Sequence, residues 1–195
     1  MKNKWLPIIG FTIPLIFWLT NLICGIILKD YSHVKHLVSE LGSLGTKSQY
    51  IFTSGLVICS ILSLLFVIGL YRRAIDFKLS TIPILLILSF TISILGAAIF
   101  PYPHRLHEIL GSPSILLFLS PFMSFILWSG KLPGVKYFSL LIFVIMSFGF
   151  LIYIPTILTE SVGLKQRFFH IGWSIWFCYL GFRFHKIDGM PSKDS

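Results

Sequence analysis

The sequence predicts an all-α protein, a polytopic transmembrane bundle of six helices, on three observations. Of its 195 residues, 55% are hydrophobic and only 12% charged, with 19 Phe and a mean hydropathy of +0.87; soluble domains carry about twice that share of charge. The apolar residues fall into six runs, each near the ~20 residues that cross ~30 Å of hydrocarbon as a helix. None of the runs alternates apolar with polar residues as a membrane β-barrel must, and helices are the other way to satisfy every backbone group in lipid. This composition excludes a disordered chain, a nucleic-acid-binding domain and an ordinary cytosolic enzyme.

The first run, Trp5 to Leu28, follows Lys2 and Lys4. It is too long for a signal-peptide core and no small-residue cleavage pattern follows, so it reads as a retained helix. The next five are Gln49 to Tyr71, Thr81 to Pro101, Ile109 to Ser129, Tyr137 to Leu158 and Phe168 to Phe184. Residues 1–187 then form a single transmembrane domain, and 188–195 a short polar tail. Alternate connections carry ten and six of the 16 Lys and Arg. That bias, led by Arg72-Arg73, puts both termini in the cytoplasm. The net charge of +9 is thereby assigned to anchoring loops at anionic headgroups, with the lipid bilayer and not nucleic acid as partner.

Cys24, Cys59 and Cys178 lie inside apolar runs without paired spacing and read as small hydrophobes. Pro14, Pro83, Pro113, Pro121 and Pro155 interrupt helices. No Asp, Glu, Lys, Arg or His falls in the interior of the first five runs, which disfavours an ion pump or proton-coupled carrier. A helical design with no sizeable soluble domain suits a prokaryotic plasma (inner) membrane.

The few polar residues therefore carry the functional reading. Five of the six histidines belong to the three outward connections. The first contains Ser32-His33-Val34-Lys35-His36-Leu37-Val38-Ser39-Glu40-Leu41-Gly42. At 100° per residue His33, His36 and Glu40 lie within about 60° of one another, beside a separate apolar stripe of Val34, Leu37, Val38 and Leu41. With Ser32 as N-cap and Gly42 as stop, this predicts a short amphipathic helix at the membrane interface. The second connection reads Pro101-Tyr102-Pro103-His104-Arg105-Leu106-His107-Glu108. A helix beginning at Pro103 would set His104, His107 and Glu108 on one face, a spacing that suits divalent-metal chelation or a carboxylate-oriented base. In the third, Arg167, His170 and Ser174 share a face and Gln166 pairs with His170; an Arg at this level fits an anionic headgroup. Asn21 in the first run, with Tyr153 and Thr156 in the fifth, would line a shallow pocket between the connections. Interfacial anchoring accounts for the same polar residues without any chemistry.

Nearly the whole chain resembles the six-span membrane proteins grouped as domain of unknown function 998. The resemblance rests on Val38-Ser39-Glu40-Leu41-Gly42, on Phe100-Pro101 followed by Leu106-His107 and Gly111, and on Gly163-Leu164-Lys165-Gln166-Arg167. It implies six helices and emphasises Ser39, His107 and Arg167; it implies no reaction. Members often carry an Asp soon after the Phe-Pro pair, where this chain has Tyr102 and Pro103. A looser analogy runs to seven-helix membrane hydrolases of the alkaline ceramidase type, which hold zinc with three His, but the span count and spacings differ.

Two functions follow as expectations. In the first, the protein is a hydrolase or transferase for a lipid-like substrate. His36, His104, His107 and His170 supply ligands to a divalent metal such as zinc, Ser39, Glu40 and Glu108 supply nucleophile and base, and Arg167, Gln166 and Asn21 hold the substrate. In the second it is non-catalytic, a pH or metal sensor, an assembly partner or a small permeation pathway.

Overall fold

A computed structural model describes residues 5–132 and 134–186; the expected polar tail lies outside the described residues. Six long helices account for most of the chain: α1 Leu6–Ile27, α2 Gln49–Asp76, α3 Ile82–Ile99, α4 Arg105–Trp128, α5 Val135–Tyr153 and α6 Val162–Lys186. Each packs on its neighbour in sequence, and α6 returns to α1, closing a ring. The two described chain ends meet at one end of this ring, with the Trp5 and His185 rings 5.0 Å apart.

Five of the helices, α1 to α5, are long and apolar enough to cross a membrane. With 25 residues α6 has the length, at ~1.5 Å per residue, but carries Lys165 and Arg167 near one end and Arg183 and Lys186 near the other. Its aromatic face supplies the centre of the bundle: Trp173, Trp176, Phe177, Leu180 and Phe184 are wholly buried. Trp173 packs on Phe90 of α3 at 4.7 Å and Phe177 on Phe66 of α2 at 5.2 Å. Outward faces keep Leu15, Leu19, Ile61, Ile92, Ile126 and Leu141 exposed, as a surface solvated by lipid chains requires.

Local chemistry explains the irregularities. Pro7 and Pro83 sit in the first turns of α1 and α3, where a missing N–H breaks no hydrogen bond. α4 is α-helical over Arg105–Gly111, tightens to a 3-10 helix over Ser112–Phe118 and resumes as α over Leu119–Trp128. Pro113 opens the tightened stretch with no N–H to continue the α ladder. α5 stops at Tyr153, short of the expected Leu158, because Ile154 precedes Pro155 and is extended at φ −111°, ψ 92°. α2 and α6 run past their apolar cores, to Asp76 and back to Val162. Hydropathy marks the stretch that lipid solvates, whereas backbone hydrogen bonding continues into the polar flank.

The amphipathic helix expected over Ser32–Leu41 does not form. Residues 33–36 make a single turn, closed by the His36 N–H donating to the Ser32 carbonyl at 2.9 Å. Leu37 is extended, and a 3-10 helix spans only Val38–Gly42. The reason is competition: the carbonyls of His36 and Leu37 are claimed by side chains from elsewhere, so they are not free to continue a helix.

Candidate functional site

Tyr31 to Gly42 forms a strap that lies across the start of α6, and Arg167 is its clasp. Nη1 of Arg167 donates to the carbonyls of His36 at 3.2 Å and Gly163 at 3.0 Å. Nη2 donates to the Tyr31 hydroxyl at 2.7 Å and to Nδ1 of His33 at 3.0 Å. Tyr31 passes the interaction on, donating to the Leu37 carbonyl at 2.9 Å. Beside the clasp the Leu164 N–H donates to the Val34 carbonyl, and the Val38 N–H to Oε1 of Gln166 at 2.7 Å. Gly163 is needed here: a Cβ would run into the His36 carbonyl and approach that of His33 within 2.8 Å. The Leu44 N–H donates to the Tyr102 carbonyl, and exposed Lys35 pairs with Glu160 at 3.3 Å. All three connections thus meet at one end of the ring.

Under the strap is a half-open cleft of about 150 Å³, bounded by Ser39, His107 and Gln166 from the three connections and by Phe90, Ser93 and His170 below. A neighbouring hollow of about 170 Å³ shares Phe90, Ser114, Gln166 and His170 and reaches Tyr153 of α5. Among the described residues no Asp, Glu, Lys or Arg lines either space. Two buried polar atoms at this site have no partner among the described residues, Oγ of Ser93 and Nε2 of His170. That is unusual, because buried polar groups are nearly always hydrogen-bonded.

The ring contacts decide which nitrogen of each imidazole carries the proton. The Trp173 indole N–H donates to Nδ1 of His170 at 2.9 Å, so the His170 proton is on Nε2, the unpartnered atom. Nδ1 of His107 lies 2.8 Å from the Phe100 carbonyl, which can only accept, so Nδ1 carries a proton and, in the neutral ring, Nε2 is left as an acceptor. The cleft therefore holds one imidazole donor and one imidazole acceptor.

Of the residues singled out from sequence, Ser39, His107, Gln166 and His170 come together in this cleft. The others do not join them. His36 and Glu40 face a separate, wider cleft of about 620 Å³ with Tyr31 and Lys47; Nδ1 of His36 accepts from the Ser32 N–H, and Glu40 accepts from the Leu37 N–H, capping the 3-10 helix. His104 is no longer on a face with His107, because it is the N-cap of α4 and its Nδ1 accepts from the Leu106 N–H. Glu108 is exposed. Asn21 is buried in α1 and donates to the carbonyl of Phe17 one turn back; Phe17 lines the cleft and Asn21 does not. Arg167 is 7% exposed with its guanidinium occupied by the strap, so it is not available to an anionic headgroup. Among the described residues no three of His, Cys, Asp and Glu come close enough to hold a metal ion, so the expected ligand set of His36, His104, His107 and His170 does not assemble.

Ser93 went unnoticed in the sequence for a physical reason. A serine in an apolar helix usually donates to a carbonyl of the preceding turn, as Ser89 does to Leu86 and Ser147 to Phe143; nothing in its neighbours marks Ser93 as the exception. Lys165 is fully buried yet outside the cleft, donating to the Ile154 carbonyl at 3.1 Å. Burial and the Arg167 charge together hold the His33 imidazole below its ordinary pKa of 6.5, and burial raises that of the Tyr31 phenol, with Arg167 opposing.

Membrane-length apolar helices around a small, uncharged, polar-edged cleft define the class: a polytopic helical integral membrane protein. A family model described as "Protein of unknown function (DUF998)" matches residues 12–183, and the chain belongs to that family. No curated protein and no solved structure matches it.

Proposed function

We propose that this protein binds a lipid-like amphiphile in the cleft beneath the strap, with α6 as a sixth membrane-crossing helix and the cation-rich end that holds both chain ends on the cytoplasmic side. The observation that carries this reading is the pair of unpartnered polar atoms, Ser93 Oγ and His170 Nε2, at a small hollow lined largely by apolar side chains. An unpaired buried polar group costs about 1–3 kcal/mol, and a ligand headgroup that hydrogen-bonds it returns that stabilisation while its chain remains among lipid tails. Mass spectrometry of the protein released intact from detergent tests this: a retained amphiphile is expected, and lost when Ala97→Trp fills the cleft. Unchanged retention in that variant would defeat the reading.

A transferase or hydrolase acting on such a molecule is the second reading, favoured by Ser39 and His107 both lining the cleft, with Nε2 of His107 left to accept. A hydroxyl and a neutral imidazole are the groups that nucleophilic acyl transfer uses. Metal is left out of this version because the imidazoles do not converge. Release of fatty acid from a monoacyl ester, abolished by both Ser39→Ala and His107→Phe, is the expected signature.

A further inference from the structure

Resting on the amphiphile-binding reading above, we infer the headgroup's chemistry: it is uncharged and presents both a carbonyl or ether oxygen and a free hydroxyl, as a glycerol monoester does. The inference follows from matching hydrogen-bond roles around the cleft. His170 offers a fixed donor, because the Trp173 indole N–H occupies Nδ1 and leaves the proton on a buried, unpartnered Nε2. Gln166 adds a second donor at the mouth; its Oε1 is held by the Val38 N–H, so its amide hydrogens are the part that remains. His107 offers the opposite role, its Nδ1–H turned to the Phe100 carbonyl and Nε2 left to accept. Ser114 donates to the Gly111 carbonyl at 2.7 Å and is likewise left with accepting capacity. Oγ of Ser93, 3% exposed, can play either part. A ligand with only acceptors would leave His107 unanswered, and one with only a hydroxyl would satisfy fewer of the donors.

Charge is excluded by the same geometry. Among the described residues neither hollow is lined by Asp, Glu, Lys or Arg, and Arg167 and Lys165 are engaged with backbone carbonyls, Arg167 at His36 and Gly163 and Lys165 at Ile154. A phosphate or carboxylate entering the cleft would lose its water without gaining a counter-charge, a large penalty. Size agrees: a hollow of about 150 Å³ is the scale that holds a benzene-sized group, which a glyceryl ester head approximates, with the acyl chain outside.

The experiment uses the full chain in lipid nanodiscs and measures displacement of radiolabelled monooleoylglycerol. Competitors are methyl oleate (carbonyl without hydroxyl), oleyl alcohol (hydroxyl without carbonyl), oleoyl lysophosphatidic acid (the same head made anionic) and octadecane. Each lost hydrogen bond is expected to weaken competition roughly tenfold, and the anionic analogue to compete at least tenfold less well than monooleoylglycerol. Ser93→Ala should weaken monooleoylglycerol about tenfold while leaving octadecane unchanged, and His170→Phe should do the same where it folds. Equal competition by all five, or tighter binding of the anionic analogue, overturns the headgroup assignment while leaving a lipid-binding cleft in place. No saturable binding of any of them overturns the cleft reading itself.

Discussion

The two ends of the bundle handle buried polar groups differently. Toward the end that holds both chain ends, several buried polar atoms answer one another, although the Tyr179 hydroxyl has no hydrogen-bond partner among the described residues. Ser120 accepts the Trp176 indole N–H at 3.0 Å and donates to the Pro83 carbonyl at 2.7 Å. Trp128 donates to the Ser80 carbonyl and its ring packs on Phe184. Arg73, 5% exposed, donates to the Phe184 carbonyl and lies over the Phe77 ring. At the opposite end a second buried arginine, Arg167, does the equivalent work of closing the ring, yet His170 one turn along α6 and Ser93 on α3 stay unanswered around an open space. Similar residues close the bundle at one end and line a cleft at the other. The difference lies in what faces them: aromatic side chains from α4 and α6 fill the first, whereas at the second a strap spans the gap and leaves a hollow beneath.

The comparison can be broken at the clasp. Arg167→Ala removes the donor to two carbonyls, a phenol and an imidazole; the loss is expected at about 3 kcal/mol or more, read as early thermal unfolding in detergent and as new proteolysis between residues 31 and 43. Arg167→Lys should rescue only part of this, since a single ammonium cannot span the same acceptors. Gly163→Val pushes the strap off from the other side, through the clash with the His36 carbonyl, at about 2 kcal/mol and with the same cleavage pattern.

A matched pair of serine substitutions sharpens it. Ser120→Ala orphans the Trp176 N–H and is expected to destabilise by about 1–3 kcal/mol, whereas Ser93→Ala, which deletes an atom with no protein partner, should leave the melting temperature of lipid-stripped protein unchanged or raised. A loss as large as that of Ser120→Ala would mean that Ser93 has a structural partner.

A smaller effect is expected from pH. His33 must present a lone pair to Arg167, and burial first, then Arg167, lowers its pKa. A depressed pKa means the folded strap binds fewer protons than the open one, so docking is complete above pH ~6.5 and weakens as pH falls below it. Strap proteolysis should rise from pH 7.5 to pH 5, and His33→Asn should flatten that dependence. Smallest of all is Lys35→Ala, because the Lys35–Glu160 pair is 62% and 80% exposed and such pairs contribute under about 1 kcal/mol.

Much of the site was legible in part. Ser39, His107, Gln166 and His170 stand out as polar residues beside apolar runs, and they meet in the cleft. His36, Glu40, His104 and Arg167 stand out just as clearly and turn out to cap helices or clasp the strap. Sequence spacing assigns a side chain to a helix face only where a helix exists; the stretch from Ser32 to Leu37 makes no such helix, because Arg167 and Tyr31 take its carbonyls from positions far along the chain or outside the helical register.

The sequence by itself determined the class of fold. Long uncharged apolar runs can only hydrogen-bond internally in lipid, so the helical class and the approximate limits of the five most apolar helices follow from hydropathy and proline placement. Tertiary structure alone decided which polar atoms were left over. Whether a serine or imidazole is satisfied depends on the atom it faces, and in this bundle that atom is often more than a hundred residues away, as with Arg167 and the His36 carbonyl.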